Sequence, residues 1–177
     1  YFTAECAKQY HRQYPKHKII LFSNKTEDPV FDRLAYIDRI KIDDSIIDDP
    51  ITMLELSNSL CIFDDVECNP NKDIEKEVER IIALCLQQGR SSKCSIIMIT
   101  HQLNNGAKTK LILTECHSVT LFPSTVTTYS LNYLLNKYFG FDKTQIKKIK
   151  TLPSRWATIH KCPPTVVYSS GAFICDD

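Results

Sequence analysis

Glycine is scarce in this chain of 177 residues. Only Gly89, Gly106, Gly140 and Gly171 are present, and no stretch reads G-x-x-x-x-G-K-[ST], so these residues contain no glycine-rich loop able to cradle phosphates. Methionine is rarer still, and the chain opens on Tyr1, from which we expect it to start inside a longer protein. No apolar run approaches the ~20 residues of a membrane-spanning helix. The opening Tyr1-Phe2-Thr3-Ala4-Glu5 carries no secretory signal. Net charge is nearly absent, a formal +1 from 22 basic and 21 acidic residues, which by itself points to neither a polyanionic nor a polycationic partner. There is no internal repeat and no low-complexity segment.

Cysteine, in contrast, is plentiful. Cys6, Cys61, Cys68, Cys85, Cys94, Cys116, Cys162 and Cys175 are present, yet no two form a CxxC pair or a spacing typical of a zinc site. Cys61 and Cys85 lie within apolar runs, where a free thiol packs as a small hydrophobe. The pattern predicts a reduced, cytosolic protein with neither a disulfide framework nor a metal.

Leu60-Cys61-Ile62-Phe63-Asp64-Asp65 is an apolar run that ends in two carboxylates. A strand apolar at every position is buried on both faces, as in a parallel sheet covered by helices. Its carboxyl end is where open α/β sheets bind ligands. Residues 2–14 read as a helix stopped by Pro15, Lys18–Ser23 as a buried strand, and Tyr36–Ile42 as an edge strand because apolar and charged residues alternate. A short helix is predicted over 51–58. A long amphipathic one follows over 73–88, with Ile74, Val78, Ile81, Ile82 and Cys85 on one face and Gly89 as its C-cap. Ser95–Thr100 is a second apolar strand. Helix 105–115, strand 117–122, helix 126–139 and helix 142–150 come next, the last opened by the capping arrangement Asp142-x-x-Gln145. Thr158–His160, Val166–Tyr168 and Ala172–Cys175 read as a small β meander. Alternation of helices with apolar strands implies a three-layer α/β domain with a mostly parallel sheet.

Chemistry gathers at few positions. A carboxylate fixed at a strand end can hold Mg²⁺, and a neighbour can orient the attacking water. Asp64 and Asp65 offer that pair, with Glu67 as an alternative to Asp65 for the base. Gln102, at the end of the next apolar strand, taken alone reads as a satisfied loop amide, with γ-phosphate sensing as the alternative. Arg90 stands at the opposite end of that strand, far from its own subunit's site. Alone it reads as a solvated turn residue, with an arginine finger into a neighbouring subunit as the alternative. The joint spacing after an acidic strand favours the functional reading of both. His101 has no Cys/His partner nearby and reads as structural. Trp156 reads as an anchor for the meander. Lys137, Lys143, Lys147, Lys148 and Lys150 read as a solvated basic face, with phosphate contact as the alternative. Tyr129, Tyr133 and Tyr138, at helical spacing, are expected in the core, with stacking platforms as the alternative.

The acidic strand, the long helix to Gly89-Arg90, the strand ending Thr100-His101-Gln102 and Leu152-Pro153-Ser154-Arg155-Trp156 resemble, in order and spacing, the genome-packaging ATPases of large double-stranded DNA viruses. Those are FtsK/HerA-type ring ATPases. Ile20-Leu21-Phe22-Ser23 with Glu27-Asp28-Pro29 resembles that family's second strand and its exit. The resemblance implies a three-layer P-loop NTPase fold of the additional-strand type, with a small C-terminal β meander and 1–177 as a single ATPase core domain. It implies an enzyme that hydrolyses ATP with Mg²⁺ to pump double-stranded DNA into a capsid, as a homo-oligomeric ring meeting a capsid or portal protein, with no membrane partner. Its place would be the host cytoplasm, in a virus factory, or the virion.

Asp64 would take the metal role, Asp65 the water-activating role, Gln102 the sensor role and Arg90 the trans finger. The family often has Glu at the position of Asp65. The absent Walker A motif is the larger departure. Helix 2–14 followed by strand 18–23 is what stands directly after a phosphate loop, so we expect a chain cut just past it and unable to bind ATP alone. Another DNA-translocating P-loop ATPase, or a degenerate non-catalytic scaffold, are the alternatives.

Overall fold

The computed structural model describes residues 1–66, 69–101 and 106–175, the side chains of 106–108 excepted. It divides into two compact units, Tyr1–His101 and Gln102–Asp177.

In the first unit the order is α1 (Phe2–Gln13), β1 (Lys18–Ser23), β2 (Ile37–Lys41), α2 (Ser45–Asp48), β3 (Ser59–Asp64), α3 (Lys72–Ser92) and β4 (Cys94–Ile99). The sheet order is β2-β1-β3-β4, and every pairing is parallel. All six residues of β3 are buried, as a fully apolar strand between helices requires. On one face Ile19, Leu21, Leu60 and Ile62 pack with Ala4 and Ala7 of α1. On the other, the Phe22 and Phe63 rings stack at 4.6 Å, and Cys61, two residues from Phe63 and so on its side, has its sulfur within 4.8 Å of that of Cys85 on α3. Helix, sheet and helix thus form three layers. The register aligns Ser23, Asp64 and Ile99 at the carboxyl end.

β2 is an edge strand, as its alternating pattern predicts. β4 is the other edge, and there the outcome is unusual. Its apolar residues 96–99 are only partly buried, and no strand among the described residues pairs with its outer side.

Two local predictions are corrected. No helix forms over 51–58; residues 53–58 are turns. Thr52 donates through N and Oγ1 to Glu55 Oε2, at 2.8 and 2.6 Å. Asn58 then adopts a left-handed φ of 51°, with its N–H on Ser92 O at 3.0 Å. A local side-chain acceptor at Glu55 and a tertiary bond at Asn58 take backbone groups that a helix would use. Nor is Gly89 a C-cap. α3 runs on to Ser92, and Lys93, φ 54°, caps it. Gly89 is buried within the helix because a Cβ there would lie 2.8 Å from the Cys94 carbonyl oxygen. The glycine allows a close approach, not a left-handed turn.

The second unit contains α4 (Gly106–Glu115), β5 (Ser118–Leu121), α5 (Thr128–Phe139), α6 (Lys143–Lys150), β6 (Ala157–His160), β7 (Thr165–Tyr168) and β8 (Gly171–Ile174). The predicted meander is present and larger than expected. Strand 117–122 joins it as β5, antiparallel to β6, in a four-stranded sheet β5-β6-β7-β8. Thr120 and Thr158 hydroxyls share a hydrogen bond at 2.8 Å across that pair, a polar cross-strand contact suited to a half-solvated antiparallel sheet. Leu131, Leu134 and Leu135 of α5 and Ile146 and Ile149 of α6 pack with Ile159 and Val166 of the sheet. The predicted capping box opens α6, with Asp142 Oδ1 accepting from Gln145 N and Gln145 Oε1 accepting from Asp142 N. Gly140, φ 72°, ends α5.

Candidate carboxylate site at the strand ends

Asp64 is only 7% exposed, and with Ser23 and Ser59 it makes up the buried polar side chains of the described residues. β3 carries it to the carboxyl edge of the sheet, and Asp65 follows in a left-handed conformation, φ 52°. Asp tolerates that region better than most residues, and here the geometry is held from outside: Asn24 Nδ2 donates to the Asp65 carbonyl at 3.1 Å. Asn24 Oδ1 accepts from Asn69 Nδ2 at 3.3 Å.

Lys25 sits between the carboxylates. Its Nζ lies 3.1 Å from Asp65 Oδ2 and 3.4 Å from Asp64 Oδ2. The hydrogen bond to Asp65 is the main cause that raises the Lys25 pKa above its ordinary 10.5, so the ammonium is charged at neutral pH. His101 Nε2 lies 3.1 Å from the other Asp65 oxygen. Two carboxylates facing one ammonium leave an excess negative charge when the imidazole is neutral. That donor set of oxygen ligands is suited to a hard cation such as Mg²⁺, and a cationic nitrogen already sits against both carboxylates.

Asp64 and Asp65 therefore stand at the carboxyl end of β3, joined by Lys25 and His101. Arg90 is not with them. It is exposed in the last turn of α3, beside the amino end of β4, a strand length of roughly 20 Å from Asp64. Gln102 and Glu67 lie outside the described residues. Lys25 and Asn24 were missed by sequence reasoning, and His101 was assigned a structural role. The available signal was topological: Asn24-Lys25 leaves β1, the strand beside β3, and the exits of adjacent parallel strands converge.

The cysteines hold a second surprise. Cys61 of β3, Cys85 of α3 and Cys94 of β4 are all buried, and their sulfurs lie within 4.8 Å of one another. Cys61 and Cys94 Sγ are 3.6 Å apart, and Ser59 Oγ is 3.5 and 3.7 Å from them. Three sulfurs this close can ligate one thiophilic ion, a grouping invisible in the linear spacing. Hydrogen bonding to Cys61 and Cys94, then burial, raises the Cys85 pKa. Cys61, which contact with Cys85 alone would lower, is pushed up to about 12 by its bond to Cys94 and by burial.

Over 174 residues the chain is 33% identical to "Uncharacterized protein V3" of Sputnik virophage, an alignment that takes in 97% of this chain and 70% of that protein. The chain belongs to that virophage protein's family. No protein-family model matches it, and no solved structure matches it. Among the described residues no helix is long and apolar enough to cross a membrane.

Proposed function

We propose that this chain is the larger part of a P-loop ATPase core that drives double-stranded DNA into a viral capsid from a homo-oligomeric ring. The observation that carries this reading is the buried Asp64 at the carboxyl end of a central strand in an all-parallel sheet, with Asp65 beside it and a cationic nitrogen against both. A viral relative is consistent with it. Asp64, desolvated and fixed by β3, would hold Mg²⁺, which supplies charge neutralisation at the transferring phosphoryl group when bound with ATP. Asp65, a third exposed at its side chain, can accept a proton from water. Lys25 must release at least one carboxylate when a divalent cation enters. Gln102 would report on the γ-phosphate.

Arg90, at the far end of β4, would serve a neighbour. The phosphate loop would come from a segment outside Tyr1–Asp177, on a strand seated against the open edge of β4. That edge is apolar, and soluble proteins rarely leave such an edge unpaired, whereas the β2 edge alternates charged residues.

The test uses the full-length protein. Magnesium-dependent ATP hydrolysis is expected, falling to background in Asp64→Ala. Turnover that survives this change sinks the assignment. Mixed Arg90→Ala and Asp64→Ala subunits should regain some activity, because one mixed interface joins an intact Asp64 to an intact Arg90. Failure to complement removes the trans role.

A further inference from the structure

Tyr129 and Tyr133 contradict the sequence prediction: they are 75% and 39% exposed. Their rings lie 6.5 Å apart and within 23° of parallel. With Asn132 and Asn136 they form the i, i+3, i+4, i+7 face of α5, and that face lines one wall of a groove of about 530 Å³. The opposite wall is the equivalent face of α6, Lys143, Lys147 and Lys150 around Ile146. Neither helix contains an acidic residue. Asp142, just ahead of α6, is occupied with its cap, and no ion pair is made by the three lysines among the described residues. The second unit as a whole carries nine lysines and arginines against four acidic residues, while the first has 13 against 17. The neutral total conceals a basic half.

We propose that this groove binds single-stranded DNA, with the backbone along the lysine wall and bases against the tyrosine rings. Charge complementarity selects a polyanion. The exposed rings select one with open π faces, which a duplex keeps stacked internally, and aromatic platforms beside a basic track are how single strands are held. A protein helix is the poorer fit, since Ile146 is the one aliphatic side chain in the lining. Lys143, Lys147 and Lys150 recur at one-turn spacing, roughly 6 Å and 4.5 Å of axial rise, so successive phosphates can be met from one side. The choice of DNA over RNA rests on the proposed DNA motor; the groove itself does not depend on the Asp64 site.

The test is fluorescence anisotropy of a labelled oligothymidylate of about 15 nucleotides with the full-length protein, without nucleotide. Binding is expected, tighter than to a duplex or to oligouridylate of equal length. Tyr129→Ala and Tyr133→Ala should each weaken it about tenfold with an unchanged salt slope, and Tyr129→Phe should retain it. Lys143→Gln, Lys147→Gln and Lys150→Gln should each reduce the slope of log K against log salt by about 0.7. Lys72→Gln, in the first unit, should change nothing. Absence of binding, preference for duplex or for RNA, indifference to both tyrosine changes, or equal displacement by polyglutamate would each overturn the proposal. Because hydrolysis is not read, a strand-binding protein without ATPase activity sinks only the motor, and an ATPase that ignores the strand sinks only the groove.

Discussion

The two units of this chain solve the same problem with opposite chemistry. The first buries a parallel sheet on both faces and brings its polar groups to the strand ends, where Asp64, Asp65, Lys25 and His101 converge. The second packs helices on an antiparallel sheet and shows its polar groups along helix faces, where lysines and tyrosines line a groove. One is net acidic and the other net basic. A parallel sheet has no free face, so function is forced to its edge. A helix pair always has a solvent face, and function can spread along it.

This contrast can be broken from either side. The largest effect is expected in the doubly covered sheet. Phe63 is fully buried and stacked on Phe22, so Phe63→Ala should destabilise by about 3–5 kcal/mol in denaturant titration. A loss below 1 kcal/mol, by the same scale, would mean that the central strand is not the core of the first unit. Gly89→Ala is next. Its Cβ would meet a backbone carbonyl at 2.8 Å, which only a shift of α3 from β4 can relieve, at a cost of about 1–3 kcal/mol. Were the C-cap reading right, with Gly89 at positive φ, alanine would also be harmful but Lys93→Gly would have no effect. With Lys93 at φ 54°, Lys93→Gly should instead stabilise by a few tenths of a kcal/mol.

The buried thiols predict an alkaline limit. Cys61 has a folded pKa near 12 against 9.0 for a free thiol, so the folded state retains protons that the unfolded chain loses. The part of the stability that Cys61 contributes should be fully present below pH 9.0 and be lost as pH rises towards 12. Thermal melts across that range should show a decline that Cys61→Val makes shallower, Cys85 keeping its own raised pKa; an unchanged slope would exonerate the Cys61 thiol. The second unit should show a modest effect. Asp142→Ala removes one half of the α6 capping box and should cost about 1 kcal/mol, read by the melting temperature, with Asp142→Asn retaining most of it.

Much of the architecture was legible in the chain. β1 and β3 announce themselves as unbroken apolar runs, β2 by alternation, and α6 by Asp142-x-x-Gln145, because local periodicity and capping depend on neighbours in sequence. The position of Asp64 and Asp65 was legible for the same reason, since the residues that end an apolar run in a parallel sheet stand at its carboxyl edge. What escaped depended on distant partners. Lys25 lies 39 and 40 residues before the aspartates it bridges. Tyr129 and Tyr133 have the helical spacing of core residues, but Leu131, Leu134 and Leu135 of the same helix occupy the buried face and turn the tyrosines outward.

By itself, the sequence determined the order and kind of most elements and the position of the carboxylate pair, because backbone propensity, hydrophobic period and capping act over a few residues. Only the tertiary structure decided which strands share a sheet, that Cys61, Cys85 and Cys94 meet, that Lys25 stands between Asp64 and Asp65, and that lysine and tyrosine faces oppose each other across a groove. Those arrangements follow from packing of elements far apart in the chain, where burial and hydrogen bonding of whole faces override the spacing of individual residues.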